Sequence, residues 1–280
     1  MPFVTANGAR LHVQRLAAKS TEPGPEQPTV VFIHGLGWDS LASFYFTLGA
    51  PAASAGCHVV TYDLRGHGKS ERPAHGYTLG DAVADLAGLL DELAITGPVH
   101  LVGNCFGGTV AFSFAHRYPE RVASMVVIES EPATEAWSVK LRELLGNATD
   151  HLLHPEVLNW ISENRGAHTA RRTVAAGKIF TATTMATEIP RGPLLGEAEL
   201  ATIDCPVLAI FGSESDLVQV ADRLPRLLPS CKVAIIEGRD HSVLAEAPQS
   251  VRELMVPWIR RHRPQHSAVG APEAEGEGER

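Results

Sequence analysis

The chain has 280 residues, 44% of them hydrophobic and 20% charged, with a formal net charge of −8 at pH 7. That length suits one large or two small domains with a core of their own, and the composition excludes a fibrous or wholly disordered chain. Because the charge is negative and the basic patches are short and scattered, no phosphate-tracking surface exists and no DNA or RNA partner is expected.

The first residues, Met1 to Val13, contain no apolar stretch long enough for a signal peptide. Nor does any run of about 20 apolar residues occur along the chain, so no membrane partner is expected and the cytoplasm is the expected location. Strands are predicted at Phe3 to Thr5 and Leu11 to Leu16, joined through Asn7-Gly8. That pair tolerates positive φ and so favours a tight hairpin turn.

After the Pro-rich loop Thr21 to Pro28, strands and helices alternate. Thr29 to Ile33 and His58 to Leu64 read as strands around a helix near Leu41 to Ala55. Their apolar runs lack polar alternation, as strands buried on both faces do. Asp81 to Leu93 spaces Leu86, Leu89, Leu90 and Leu93 for a helix. Val99 to Gly103 is the next strand, and Phe106 to His116 a helix ended by Tyr118-Pro119. Ala123 to Ile128, Pro206 to Phe211 and Lys232 to Ile236 complete the strands, and Val251 to Arg261 is the closing helix. Repeated β-α alternation predicts an α/β chain with a mostly parallel sheet and helices on both sides.

One interval breaks the alternation. Between 133 and 200 the patterns are helical, as in Trp137 to Leu145 and Leu158 to Asn164, and we expect a helical lid inserted in a single discontinuous core formed by 1–132 and 201–263. The tail 264–280, rich in Gly, Ala, Glu and Pro, is expected to be disordered. Four cysteines without a CxxC pair suggest neither a disulfide scaffold nor a zinc site, and neither metal nor cofactor is expected. Cys57, Cys205 and Cys231 each open an apolar strand-like run and read as packing residues.

Cys105 is different. Gly103-Asn104-Cys105-Phe106-Gly107-Gly108 lies between an apolar strand and a helix, the setting of a nucleophile elbow with cysteine in place of serine. So tight a turn needs small flanking residues, and Gly103 and Gly107 supply them. It lifts the sulfur toward a helix N-terminus, where partial positive charge favours the thiolate.

With this elbow the sequence resembles the α/β-hydrolase superfamily from about residue 8 to residue 262. The resemblance implies that family's fold, with a mostly parallel sheet of about eight strands. His34-Gly35-Leu36-Gly37, after the strand Val30 to Ile33, is similar to the loop that supplies one oxyanion-hole amide. By that match the backbone N–H of Leu36 is one donor and that of Phe106 the other. Asp63-Leu64-Arg65-Gly66-His67-Gly68-Lys69-Ser70 resembles the family's D-x-R-G-x-G-x-S turn, which we read as scaffold, and His34 as a residue that shapes its loop.

The order nucleophile, acid, histidine is expected in such a chain. Phe211-Gly212-Ser213-Glu214-Ser215-Asp216 resembles the acid loop and Gly238-Arg239-Asp240-His241-Ser242 the histidine loop, so Asp216 is the expected acid and His241 the expected base. Gly212 to Asp216 is one residue longer than the common G-x-x-D spacing, which leaves Glu214 as a competitor. Glu131 is another, because some relatives take the acid from the strand that here is Ala123 to Ile128.

These assignments imply acyl chemistry through a covalent thioester. Water as acceptor makes a hydrolase, whereas an amine, alcohol or thiol makes an acyltransferase. The expected partner is a small-molecule acyl substrate, including one carried as a thioester, and Trp38, Trp137, Trp160 and Phe180 are the candidate pocket residues. Arg165, Arg171, Arg172 and Lys178 are cations that could meet an anionic substrate. The alternative reading is a non-hydrolytic cyclase or isomerase, or a ligand-binding protein, on the same fold. No aspartate stands at the elbow, which disfavours dehalogenase or epoxide-hydrolase chemistry.

Overall fold

The structure is a computed structural model that describes residues 3–19 and 27–263. The expected disordered tail and residues 21–26 of the Pro-rich loop lie outside the described residues.

Eight strands form one sheet in the order β1-β2-β4-β3-β5-β6-β7-β8. They are β1 (Phe3–Ala6), β2 (Ala9–Leu16), β3 (Thr29–Ile33), β4 (His58–Tyr62), β5 (Val99–Asn104), β6 (Val122–Ile128), β7 (Val207–Gly212) and β8 (Cys231–Ile236). The hairpin β1-β2 and the pair β2-β4 are antiparallel, and every other pair is parallel. Asn7 at φ 46° and Gly8 at φ 73° turn the hairpin, as their sequence predicts.

The central strands read VVFI, VHLV, MVVI and VLAIF because helices cover both faces and no position faces water. Val31, Ile33, Leu101 and Val127 join one apolar layer, and Val30, Phe32, Val102 and Val126 join the other. Helix α1 (Leu79–Glu92) starts at a reciprocal cap in which Thr78 and Asp81 bond each other's backbone N–H, which fixes its first turn. Helix α2 (Phe106–Arg117) follows β5 and is buried along most of its length.

Between β6 and β7 the chain is helical, with α3 (Glu135–His151), α4 (Pro155–Arg165), α5 (Ala167–Ala182) and shorter turns, and no strand occurs there among the described residues. The closing helix α6 (Pro248–Arg261) packs Val251, Met255 and Ile259 onto the layer that holds Phe32 and Val102. Among the described residues no helix is long and apolar enough to cross a membrane.

The parallel strands end side by side at one edge of the sheet. Loops leaving β3, β5, β6, β7 and β8 meet there, in the crevice where open α/β sheets place their ligands.

Candidate active site

Cys105 sits at φ 51° and ψ −118°, a left-handed backbone that a residue with a side chain rarely adopts. The surrounding contacts enforce it. The Cys105 N–H donates to the Ile128 carbonyl at 2.9 Å, and Ser130 Oγ–H reaches the Cys105 carbonyl at 2.8 Å, so the elbow is stitched to the end of β6. A side chain on Gly107 would fall 1.9 Å from the Ile33 carbonyl oxygen, and one on Gly103 would fall 2.4 Å from the Gly108 nitrogen. Glycine is therefore required at both positions by space.

The two expected oxyanion-hole residues line one cavity with Cys105. The N–H groups of Leu36 and Phe106 donate to no backbone carbonyl among the described residues, and both residues line the cavity that reaches Cys105. The loop holding Leu36 is pinned from several sides. His34, fully buried, bonds the Gly35 carbonyl through Nδ1 at 2.7 Å and accepts the Leu64 N–H on Nε2 at 2.9 Å. His67 Nε2 accepts the Gly37 N–H at 2.9 Å, and burial drives this ring down to about 3, so it stays neutral and serves as an acceptor.

Asp39 completes the loop. Its carboxylate accepts the Gly35 N–H at 2.8 Å, the Ser40 N–H at 2.9 Å, the Asn104 amide at 3.4 Å and the Ser43 hydroxyl. Burial opposes its charge, but nearby His34 and these donors prevail and hold it below the usual carboxylate range. The turn from Asp63 to Ser70 after β4 is scaffold: Asp63 accepts N–H groups from Leu41 and Lys69 and bonds His12 Nδ1, while Arg65 pairs with buried Asp85 through two bonds of 2.9 and 2.5 Å.

His241, on the loop after β8, borders the same two cavities as Cys105 and hydrogen-bonds Glu129. Its Nδ1 lies 3.1 Å from Glu129 Oε2. The neighbouring Cys105 sulfur, then the bond to Glu129, lift the ring up to about 10 against a smaller opposing effect of burial. The ring therefore keeps its second proton at neutral pH. Glu129 is fully buried at φ 48°, directly after β6, and accepts two further bonds of 2.5 Å, from the Gly212 N–H and the Ser215 hydroxyl. Three donors offset the cost of removing this carboxylate from water.

The partner of His241 is thus Glu129, where Asp216 was the expectation. In a G-x-x-D spacing the fourth position faces the ring, and here that position is Ser215, which is buried and bonds Glu129. Asp216, one residue on, is exposed and makes no hydrogen bond among the described residues, and Glu214 is exposed as well. Glu131, the competitor on the correct strand end, lies two residues too far and pairs with Lys140. The signal that could have found Glu129 is the first acid directly after a buried strand, combined with serine at the fourth position of the next loop.

Two chambers meet at this ring and sulfur. The larger, 510 Å³, is lined by Trp38, Asp39, Leu145, Arg172, Phe180 and Leu244 among others, and the smaller, 360 Å³, by Thr109, Glu131, Trp137, Lys140, Asp216 and Leu217 among others. Three of the four expected pocket aromatics therefore line a chamber. Trp160 does not, because its side of α4 faces outward and the residue is 56% exposed.

Comparison with known proteins agrees with the architecture. A family model described as "alpha/beta hydrolase fold" matches residues 28–248. The chain is 28% identical over 267 residues to a 2-(acetamidomethylene)succinate hydrolase of Mesorhizobium japonicum, covering 89% of this chain and 94% of that protein. It is 26% identical over 269 residues to a non-heme chloroperoxidase of Streptomyces lividans, covering 82% and 91%. Among solved structures, an esterase from Exiguobacterium antarcticum superposes with a TM-score of 0.72 at 17% identity, over 92% of this chain and 99% of that one.

Proposed function

Because the chain belongs to the α/β-hydrolase fold family, we propose that it is an acyl-cleaving hydrolase that works through a thioester on Cys105, with His241 as proton carrier and Glu129 as the carboxylate that orients it. The observation that carries this reading is the convergence on one imidazole of a sulfur from the β5 elbow and a carboxylate from the end of β6.

The chemistry follows from that arrangement. Cys105 Sγ attacks the substrate carbonyl carbon as its proton passes to His241. The carbonyl oxygen becomes an oxyanion, bound by the N–H groups of Leu36 and Phe106. When the tetrahedral species collapses, the bond to the leaving group breaks and His241 supplies its proton to that group.

Acylation then changes the ring. The acylated sulfur no longer offers the interaction that is the largest cause lifting His241, so the ring falls back toward its ordinary range. A neutral imidazole can take a proton from water, which attacks the thioester and releases the acid. One residue thereby serves as acid in the first half and base in the second. The hydrolase relative from Mesorhizobium japonicum supports water, over an amine or alcohol, as the terminal acceptor.

The test is covalent trapping. Incubation with p-nitrophenyl acetate followed by peptide mass mapping is expected to give an acetyl adduct on Cys105 that Cys105→Ala abolishes. Turnover that survives this substitution would remove the covalent mechanism.

A further inference from the structure

We propose that the larger chamber receives an acyl group whose far end is anionic, and that Arg172 is the side chain that binds that end. The proposal deepens the acyl-enzyme reading and rests on it. Of the four Lys and Arg residues on α4 and α5, Arg165, Arg171, Arg172 and Lys178, Arg172 alone lines either of the chambers that open on Cys105.

Arg172 is solvent-exposed and borders the chamber beside Trp38. One guanidinium N–H donates to the Trp38 carbonyl, and the Trp38 indole N–H donates to Thr173 Oγ1 at 3.2 Å, so α5 and the loop after β3 are tied together at this point. A guanidinium has five N–H donors in a planar fork, and this bond leaves others available for a carboxylate.

No carboxylate pairs directly with that cation: none lies in salt-bridge range of Arg172 among the described residues. The chamber's own acid, Asp39, is engaged by donors from Gly35, Ser40, Ser43 and Asn104. Much of the remaining wall is apolar, including Leu141, Leu145, Ala148, Phe180 and Leu244. A cation with no direct ion-pair partner at the wall of a largely apolar chamber suits a ligand with an apolar body and an anionic end.

The smaller chamber has the opposite character. Its cation, Lys140, is paired with Glu131, and Asp216 adds an exposed carboxylate. An anionic end is repelled there and directed to the larger side, which leaves the smaller side for the departing group. The volume of 510 Å³ accommodates a small molecule.

Two esters with one leaving group and similar chain length test this, p-nitrophenyl pentanoate and mono-p-nitrophenyl glutarate, with the full chain. The expected kcat/KM ratio of acid to neutral ester is about tenfold or more, the range of a charge-assisted hydrogen bond, and it shrinks as salt is added. Arg172→Met should bring the ratio to about one and Arg172→Glu should invert it, while Arg172→Lys retains part of it. A wild-type ratio near one, or a ratio unchanged in Arg172→Met, overturns the anion site, provided both esters label Cys105. Absence of any Cys105 adduct in the wild-type protein overturns the acyl-enzyme reading and the anion site with it.

Discussion

The hydroxyl of Ser215 donates to Glu129 Oε2 at 2.5 Å, and the same oxygen receives His241 Nδ1 at 3.1 Å. Ser215, at the fourth position of the G-x-x-D spacing and one residue before the expected Asp216, supports an acid from the neighbouring strand.

Substitution at the two carboxylates should separate their roles. Glu129→Gln leaves the shape and removes the charge beside His241, and is expected to lower kcat/KM by about 10² to 10⁴. Asp216→Asn should stay within about threefold of wild type, as an exposed group that does not touch the ring does. Steady-state kinetics on the two variants decides the matter, and equal losses would return Asp216 to the site.

The imidazole offers a second measurement. Its folded value is raised, so it holds its proton until the pH climbs to about 10. Acylation, which needs that proton for the leaving group, should therefore keep its rate through neutral pH and decline on the alkaline side near 10. Cys105→Ala removes the largest cause of the elevation, and NMR titration of His241 in that variant should move down toward the ordinary histidine range.

Gly107→Ala would place a methyl group 1.9 Å from the Ile33 carbonyl oxygen, in a backbone contact that cannot yield. A loss of about 3 kcal/mol or more is expected in urea unfolding, at the upper end of overpacking effects. Gly146→Ala, on α3 where a Cβ meets nothing within 4 Å, is the matched control and should be neutral or slightly stabilising.

Asp39 bridges the loop of Leu36 and the elbow through Gly35 and Asn104. Asp39→Asn should slow acylation by p-nitrophenyl acetate by about tenfold or more, the scale of a misplaced oxyanion donor. Alkylation of Cys105 by iodoacetamide passes through no oxyanion and should change far less. Stopped-flow acylation and alkylation rates, compared in one preparation, would show an equal decline if Asp39 acted only on the sulfur.

Much of the fold was legible in residue order. The apolar runs of β3, β5, β6 and β7 are unbroken because both faces are covered, so their positions could be read directly, and the small residues around Cys105 announced a turn that space alone permits. Glu129 was not legible, because its role depends on adjacency between β6 and β7, with Ile128 opposite Ile210, which arises only when strands distant in sequence pair. The identity of Arg172 as the chamber cation was hidden for a similar reason. Helical periodicity gives the face of α5, whereas the direction of that face is set by its contacts with Trp38.

The adjacency of two strand ends has a consequence for recognising enzymes of this kind. A search pattern that demands aspartate at one fixed step after β7 would pass over this chain as a degenerate copy, while the geometry asks only that one of two neighbouring seats be filled by a carboxylate. Ser215 and Glu129 share that requirement between them. Chains with a hydroxyl at the first seat should be inspected at the second before they are counted as inactive.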